Sequence, residues 1–112
     1  MMTSTDNEMA LLHANVCQAL ADPKRIQILY ALAERPRHVT TLAHDLQLPQ
    51  PTVSRHLRVL RQQSLVRTRR EGVSVMYRLA DRRVMDVLNM LRQLVVEGME
   101  QNTAVNNGRQ LA

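Results

Sequence analysis

The chain contains no tryptophan and no phenylalanine, and Tyr30 and Tyr77 are the only aromatic residues among its 112. A core built under that restriction must be aliphatic, made of Leu, Val, Ile, Met and Ala. The aromatic platforms on which RNA-binding and single-strand-binding modules stack bases are also missing. A single cysteine, Cys17, excludes an internal disulfide framework and fits a reducing compartment. With three glycines there is no Gly-rich phosphate loop, and neither a nucleophile with a partnered base nor a carboxylate pair suggests an enzyme. Ser54 and His56 look suggestive, but two residues apart on a helix their side chains diverge by about 200°. No stretch approaches the roughly 18 uninterrupted apolar residues of a membrane span. The N-terminal MMTSTDNEMALL lacks a basic region ahead of an apolar one. The expectation is a soluble, cytoplasmic protein.

What is present is aliphatic and basic. Hydrophobic residues make up 45 %, enough for one globular core at this length. The formal charge is +5, and Lys24 is the only cation among fifteen that is not arginine. Such a balance favours an anionic partner, and the planar guanidinium favours one with phosphate geometry.

Apolar spacing divides the chain into helices. Thr5-x-x-Glu8 has the spacing of a capping box, and Met9, Leu12, Val16 and Ala19 or Leu20 follow at helical intervals. Asp22-Pro23 reads as a cap and a first helical position, with Ile26, Leu29, Leu32 and Ala33 forming the buried side until Pro36 ends the helix. A short third helix is expected from about Thr40, with Leu42, Ala43 and Leu46 turned inward. Gln47-Leu48-Pro49 breaks it, and a fourth helix runs to about Gln63. Two helices joined by so short a segment suggest a helix-turn-helix. The pattern then becomes alternating. Val66, Thr68 and Arg70 alternate with Arg67 and Arg69, and Val73, Val75, Tyr77 and Leu79 alternate with Ser74, Met76 and Arg78. This predicts a hairpin with Gly72 supplying the turn. Asp81 is expected to cap a long last helix whose Val84, Val87, Leu91 and Leu94, widened by Leu88 and Val95, form a seam suited to pairing with another helix. The domain proper spans 9–100, with 1–8 and 101–112 as flexible tails.

The fourth helix has two faces. Val53, Leu57 and Leu60 share one side; Pro51, Arg55, Arg58 and Gln62 share the other, flanked by Thr52, Ser54 and Val59. Arginine takes guanine bidentately in the major groove, and Ser, Thr and Gln also serve base edges. Because the first residues of a recognition helix reach the bases, Gln50, Thr52, Ser54, Arg55, His56 and Arg58 are the candidates for contact with DNA. Between Gln50 and Arg83, nine arginines stand against Glu71 and Asp81, a balance of +7, so the remainder of the chain is slightly acidic. Any single exposed arginine is adequately explained as a solvated side chain, but a cluster on a helix-turn-helix has a direct electrostatic use.

The motifs LADPKRIQIL and TVSRHLRVL, followed by the RREGVSVMYRL hairpin and a long terminal helix, resemble the ArsR/SmtB family of winged-helix repressors over roughly residues 9 to 100. The resemblance implies a mainly α protein with five helices and a small β-hairpin wing. It implies a homodimer built from the first and last helices, which places Leu12, Val16, Val84, Val87, Leu88, Leu91, Leu94 and Val95 in the interface. It further implies double-stranded DNA with an inverted repeat as partner, an inducer that releases it, and a wing in which Arg67, Arg69, Arg70 and Gly72 lie near phosphates or the minor groove. Two positions depart from the family pattern: Gln47 stands where glycine is common in the turn, and Pro49 where a serine would cap the recognition helix.

The family's sensor motifs are not matched. Where thiophilic-metal and arsenic sensors carry Cys-x-Cys, this chain reads His38-Val39-Thr40. Where zinc sensors carry their aspartate, histidine and glutamate ligands, it has Asp81, Arg83, Leu94 and Glu97, so both histidines are gone. No cofactor is expected. His13 and Cys17, four residues apart, could ligate a metal with Glu97 or Glu100 across a dimer, and His38 is the further candidate ligand. The preferred reading makes Cys17 a small buried interface residue with His13 at its rim. His38 and His44 are expected to be solvated. Beside a DNA-binding regulator, the competing function is a winged helix used only for protein assembly.

Overall fold

In the computed structural model the backbone is described for residues 4–111 and side chains for residues 5–102. The chain divides into two units, Met1–Arg82 and Arg83–Ala112. The first holds α1 (Ser4–Leu11), α2 (Pro23–Glu34), β1 (Arg37–His38), α3 (Val39–Leu46), α4 (Gln50–Gln62), β2 (Val66–Glu71) and β3 (Ser74–Leu79), and the second is α5 (Arg83–Leu111).

The first helix begins at Ser4, so Thr5 lies inside it, and it continues as a π-helical stretch over Leu12–Cys17. The wider turn rotates the residues after it relative to those before Leu12, a departure from the regular helix expected. Its last carbonyls are met by Arg25, whose Nε donates to the Ala19 carbonyl at 2.6 Å and whose Nη2 donates to that of Gln18 at 3.2 Å. Asp22 caps α2 as expected, accepting from the Lys24 amide at 2.8 Å, and that hydrogen bond holds its carboxyl below the usual carboxylate range. The helix closes at Glu34, and Arg35 is extended ahead of Pro36.

Ile28, Leu29, Ala31 and Leu32 of α2 are buried, so the stripe is rotated from the one expected: Ile26 and Ala33 are only half-buried, and Ile28 is enclosed. Ala19, together with Leu42 and Ala43 from α3, Val53, Leu57 and Leu60 from α4, and Leu65 and Val66, completes the buried hydrophobic side chains of this unit, all of them aliphatic. At the end of α3 the amides of Gln47 and Leu48 donate to the carbonyls of His44 and Ala43. At the end of α4 those of Ser64 and Leu65 donate to Arg61 and Leu60. Both are Schellman caps, and both place a side chain at the left-handed position that glycine normally fills, Gln47 at φ 54° and Ser64 at φ 59°.

The sheet has the order β1-β3-β2, all antiparallel. The strand β1 was not anticipated; two residues carry no periodicity. Its register sets Arg37 opposite Tyr77 and His38 opposite Met76, while Thr68 opposes Tyr77 and Arg69 opposes Met76. One face therefore carries Arg37, Val66, Thr68, Arg70, Val75, Tyr77 and Leu79, and the other His38, Arg67, Arg69, Glu71, Ser74, Met76 and Arg78. Val73, expected in the strand alternation, instead occupies the two-residue turn with Gly72 and is fully exposed. Gly72 has φ +62° and Val73 has no positive φ, the pattern of a type II′ turn with glycine first.

Arg37 is 7 % exposed. Its charge is tolerated there because Nη2 lies 2.8 Å from Glu34 and Nη1 3.2 Å from Asp45. In the second unit, α5 starts at Arg83, two residues past Asp81, and helical backbone extends to Leu111 through a stretch that has no apolar repeat. Met85 and Leu88 are buried, whereas Val87, Met90, Leu91, Leu94, Val95, Val96 and Met99 are exposed.

Gln47→Gly should relieve the left-handed strain at the cost of some unfolded-state freedom. A gain of about 0.5–1 kcal/mol is expected, read as a higher urea midpoint with unchanged slope. An unchanged or lower midpoint would mean that the Gln47 side chain stabilises the turn in a way that outweighs its strain.

Candidate nucleic-acid interface

Burying Val53, Leu57 and Leu60 obliges the opposite side of α4 to face water. Gln50, Pro51, Ser54, Arg55, Arg58, Arg61 and Gln62 are exposed, and Thr52 and Val59 are half-buried. The helix begins on Pro49, whose carbonyl accepts from the amides of Thr52 at 3.0 Å and Val53 at 3.1 Å. No side chain caps this end, and no acidic residue occupies the first turn. The positive pole of the helix is thus uncovered beside Gln50, Ser54 and Arg55, an arrangement that favours an anion.

His56 does not join that face. It is 6 % exposed, three residues after Val53 and four before Leu60, which places it on the buried stripe. The expectation that it reaches a base edge is corrected: in this geometry its ring is turned into the protein. Its Nδ1 is buried and has no hydrogen-bond partner among the described residues. Desolvation lowers its pKa below the ordinary imidazole value, opposed by the charge of Asp22 and aided by those of Arg25, Arg55 and Lys24.

Beside α4 the hairpin exposes Arg67, Arg69, Arg70 and Arg78. Arg67, Arg69 and Arg78 share the outer face, whereas Arg70 stands on the other face near the tip, beyond the packed part of the strand. Glu71 is the hairpin's only carboxylate. His38, expected to be solvated, is half-buried against the hairpin, with Nδ1 3.1 Å from the Val75 carbonyl and Nε2 3.8 Å from Glu71. His44 is exposed as expected.

The candidate metal ligands His13 and Cys17 are both exposed, within the π-helical stretch, so Cys17 is not buried within the single chain. Among the described residues no three His, Cys, Asp or Glu side chains are gathered as a metal site. No described helix is long and apolar enough to cross a membrane. Of the expected interface residues, Val87, Leu91, Leu94, Val95 and Leu12 are exposed, Val16 and Val84 are half-buried, and Leu88 is buried.

A helix-turn-helix with an outward basic face and an arginine-rich hairpin next to it defines a winged helix-turn-helix DNA-binding domain. The family model described as "Bacterial regulatory protein, arsR family" matches residues 22–68. The HTH-type transcriptional regulator KmtR of Mycobacterium tuberculosis is 40 % identical over 94 residues, 84 % of this chain and 66 % of that protein, just under two thirds of its length. NmtR, another HTH-type transcriptional regulator of M. tuberculosis, is 42 % identical over 84 residues, 75 % of this chain and 70 % of that one. The solution structure of the homodimeric winged helix-turn-helix DNA-binding domain of Mb0332 from Mycobacterium bovis superposes with a TM-score of 0.74 at 34 % identity, covering 90 % of this chain and 95 % of that one. The chain belongs to the arsR family of bacterial regulatory proteins.

The inward His56 has a pH signature. Its folded pKa is lowered, so below about pH 6.5 the unfolded chain binds a proton that the folded one resists, and stability falls as pH drops through that window. The Asp22 contribution is lost only in more acid solution, below the ordinary carboxylate range. Urea midpoints at pH 7.5 and 5.5 should fall for the wild type and fall less for His56→Leu. Equal falls would show that His56 does not carry the effect.

Proposed function

We propose that the chain is a dimeric repressor that reads an inverted repeat in double-stranded DNA with two copies of α4 and is released from it by an inducer. The observation that carries this reading is the continuity of the exposed face of α4 with the hairpin arginines. Gln50, Thr52, Ser54, Arg55 and Arg58 would serve base edges, and Arg67, Arg69 and Arg70, around the turn at Gly72, would serve phosphates or the minor groove. The transcriptional-regulator names of KmtR and NmtR and the homodimeric state of the Mb0332 domain support it. A second copy is the occupant best suited to the apolar side of α5, where Leu91, Leu94 and Val95 stand in water, together with Leu12 of the first helical segment. On this reading the protein works in the cytoplasm, where its DNA is, and no catalysis is assigned to it. An assembly module without DNA binding would leave the concentration of arginine on α4 and the hairpin without a use.

Two arginines separate readout from positioning. Arg55→Ala should cost about 1–3 kcal/mol on the operator and relax discrimination at the bases it meets. Arg69→Ala should weaken all duplexes alike and reduce the steepness of the salt dependence by about one unit. Matching losses on operator and random DNA for both variants would remove Arg55 from base readout. A wild type that binds neither duplex would favour the assembly module.

The interface has its own test. Leu91→Glu places a charge in the apolar side of α5, and sedimentation should find monomers that bind the operator weakly. An intact dimer would place the interface elsewhere.

A further inference from the structure

Resting on the reading above, we infer that His38 is a positioning residue for the wing, holding the hairpin in a set place relative to α4 although it reads no base itself. His38 sits at the junction of three elements. Its backbone pairs with Met76 in the sheet, its residue forms the N-terminal boundary of α3, and its ring lies on the outer face of the hairpin. A carbonyl can only accept, so at 3.1 Å from the Val75 oxygen it is the Nδ1–H that donates. Nε2 faces the Glu71 carboxylate on β2 at 3.8 Å, beyond hydrogen-bond distance and an ion pair only when the ring carries both protons. The imidazole is thus held to β3 near the tip of the hairpin by Val75.

The register explains why this matters to the arginines. His38, Met76 and Arg69 form one row across the sheet, with Arg67 and Glu71 on the same face to either side. A two-stranded hairpin alone is marginally stable and twists freely. Its base is secured here by the buried Val66 and by the amide of Ala80 donating to the Leu65 carbonyl at 3.0 Å. Beyond the base, the outer face is tied to the rest of the domain by the His38 ring on the Val75 carbonyl. Its neighbour Arg37 is bound to Glu34 and Asp45, so β1 is itself fixed to the ends of α2 and α3. The chain of contacts runs from α2 and α3 through Arg37-His38 to Val75. It thereby sets where Arg67 and Arg69 stand relative to the recognition face.

The test is a double-mutant cycle on the full-length protein, read by salt titration on a duplex from the region upstream of its own gene and on a random duplex of equal length. His38→Ala should flatten the salt dependence by one to two phosphate contacts, each worth roughly a 3.5-fold change in affinity between 50 and 200 mM salt. In an Arg67→Ala/Arg69→Ala background the same substitution should change affinity by less than about twofold, because the contacts it positions are already gone. His38→Gln, whose amide can still donate to the Val75 carbonyl, should recover most of the wild-type slope. An unchanged slope for His38→Ala, or a loss that adds fully to that of the double arginine variant, would overturn the inference. Circular dichroism keeps the result interpretable: a His38→Ala protein that has lost its helical signal is replaced in the cycle by His38→Phe, which keeps a ring of similar size but cannot donate to Val75 and should flatten the slope in the same non-additive way. If the wild type binds neither duplex, the function proposed above fails; if the wild type binds and only the cycle is additive, the role of His38 alone fails.

Discussion

The burial of Val53, Leu57 and Leu60 against α2 and α3 is the contact on which the recognition surface depends. These three side chains are fully enclosed. At roughly 1.5–3 kcal/mol for each buried aliphatic side chain, they outweigh anything on the solvent side of α4. Their spacing fixes the rotation of the helix about its axis, and rotation decides which residues face outward. Arg55 and Arg58 are therefore exposed as a consequence of packing. The same rotation carries His56 inward, where its ring is desolvated and Nδ1 has no partner among the described residues. A polar ring on an apolar stripe is a local conflict between packing and solvation.

The ends of the two helices depend on backbone conformation more than on side-chain caps. Both α3 and α4 close with a left-handed residue that is not glycine, and α4 opens on a proline that offers no side-chain oxygen. The departures from the family pattern at Gln47 and Pro49 leave the turn geometry intact: Gln47 adopts the conformation a glycine would take, and the Pro49 carbonyl receives the first amides. An uncapped, acid-free helix start next to arginines has an electrostatic consequence. The dipole and the side chains have the same sign at the same place, so an approaching phosphate meets both.

Much of this architecture is legible in the sequence, and the exceptions have physical causes. The helix-turn-helix and hairpin can be read because Val53-Leu57-Leu60 and Val75-Tyr77-Leu79 carry clean periods of 3.6 and 2. The Asp22 cap follows from a residue type with a single good use before Pro23. The inward His56 was also within reach, since 53, 56, 57 and 60 form the standard helical face; its polarity and its neighbour Arg55 argue the other way and mislead. The strand β1 has no such signal, because two residues cannot express a period, and Arg37 is buried only through partners at Glu34 and Asp45. The π-helical turn at Leu12–Cys17 follows an apolar spacing that a regular helix would satisfy as well. In α2 the stripe is displaced because adjacent Ile28 and Leu29 compete with Ile26 for the inside, and spacing alone does not choose between them.

Affinity arithmetic explains why a domain of this size would act as a pair. Each good bidentate base contact discriminates by about 1–3 kcal/mol, and one copy of α4 offers only a few side chains that can make one. A single domain would distinguish its site from the many competing ones poorly, however basic its surface. Joining two domains makes the second binding event intramolecular and multiplies selectivity without any new contact, provided that the two α4 helices are held at the spacing of the half-sites. On the proposed reading that spacing is set by the apolar side of α5. A change of geometry there would leave each domain's phosphate attraction in place while removing simultaneous engagement, so specific binding would be lost before non-specific binding. An inducer would then need to shift the pairing of the helices without touching the recognition surface.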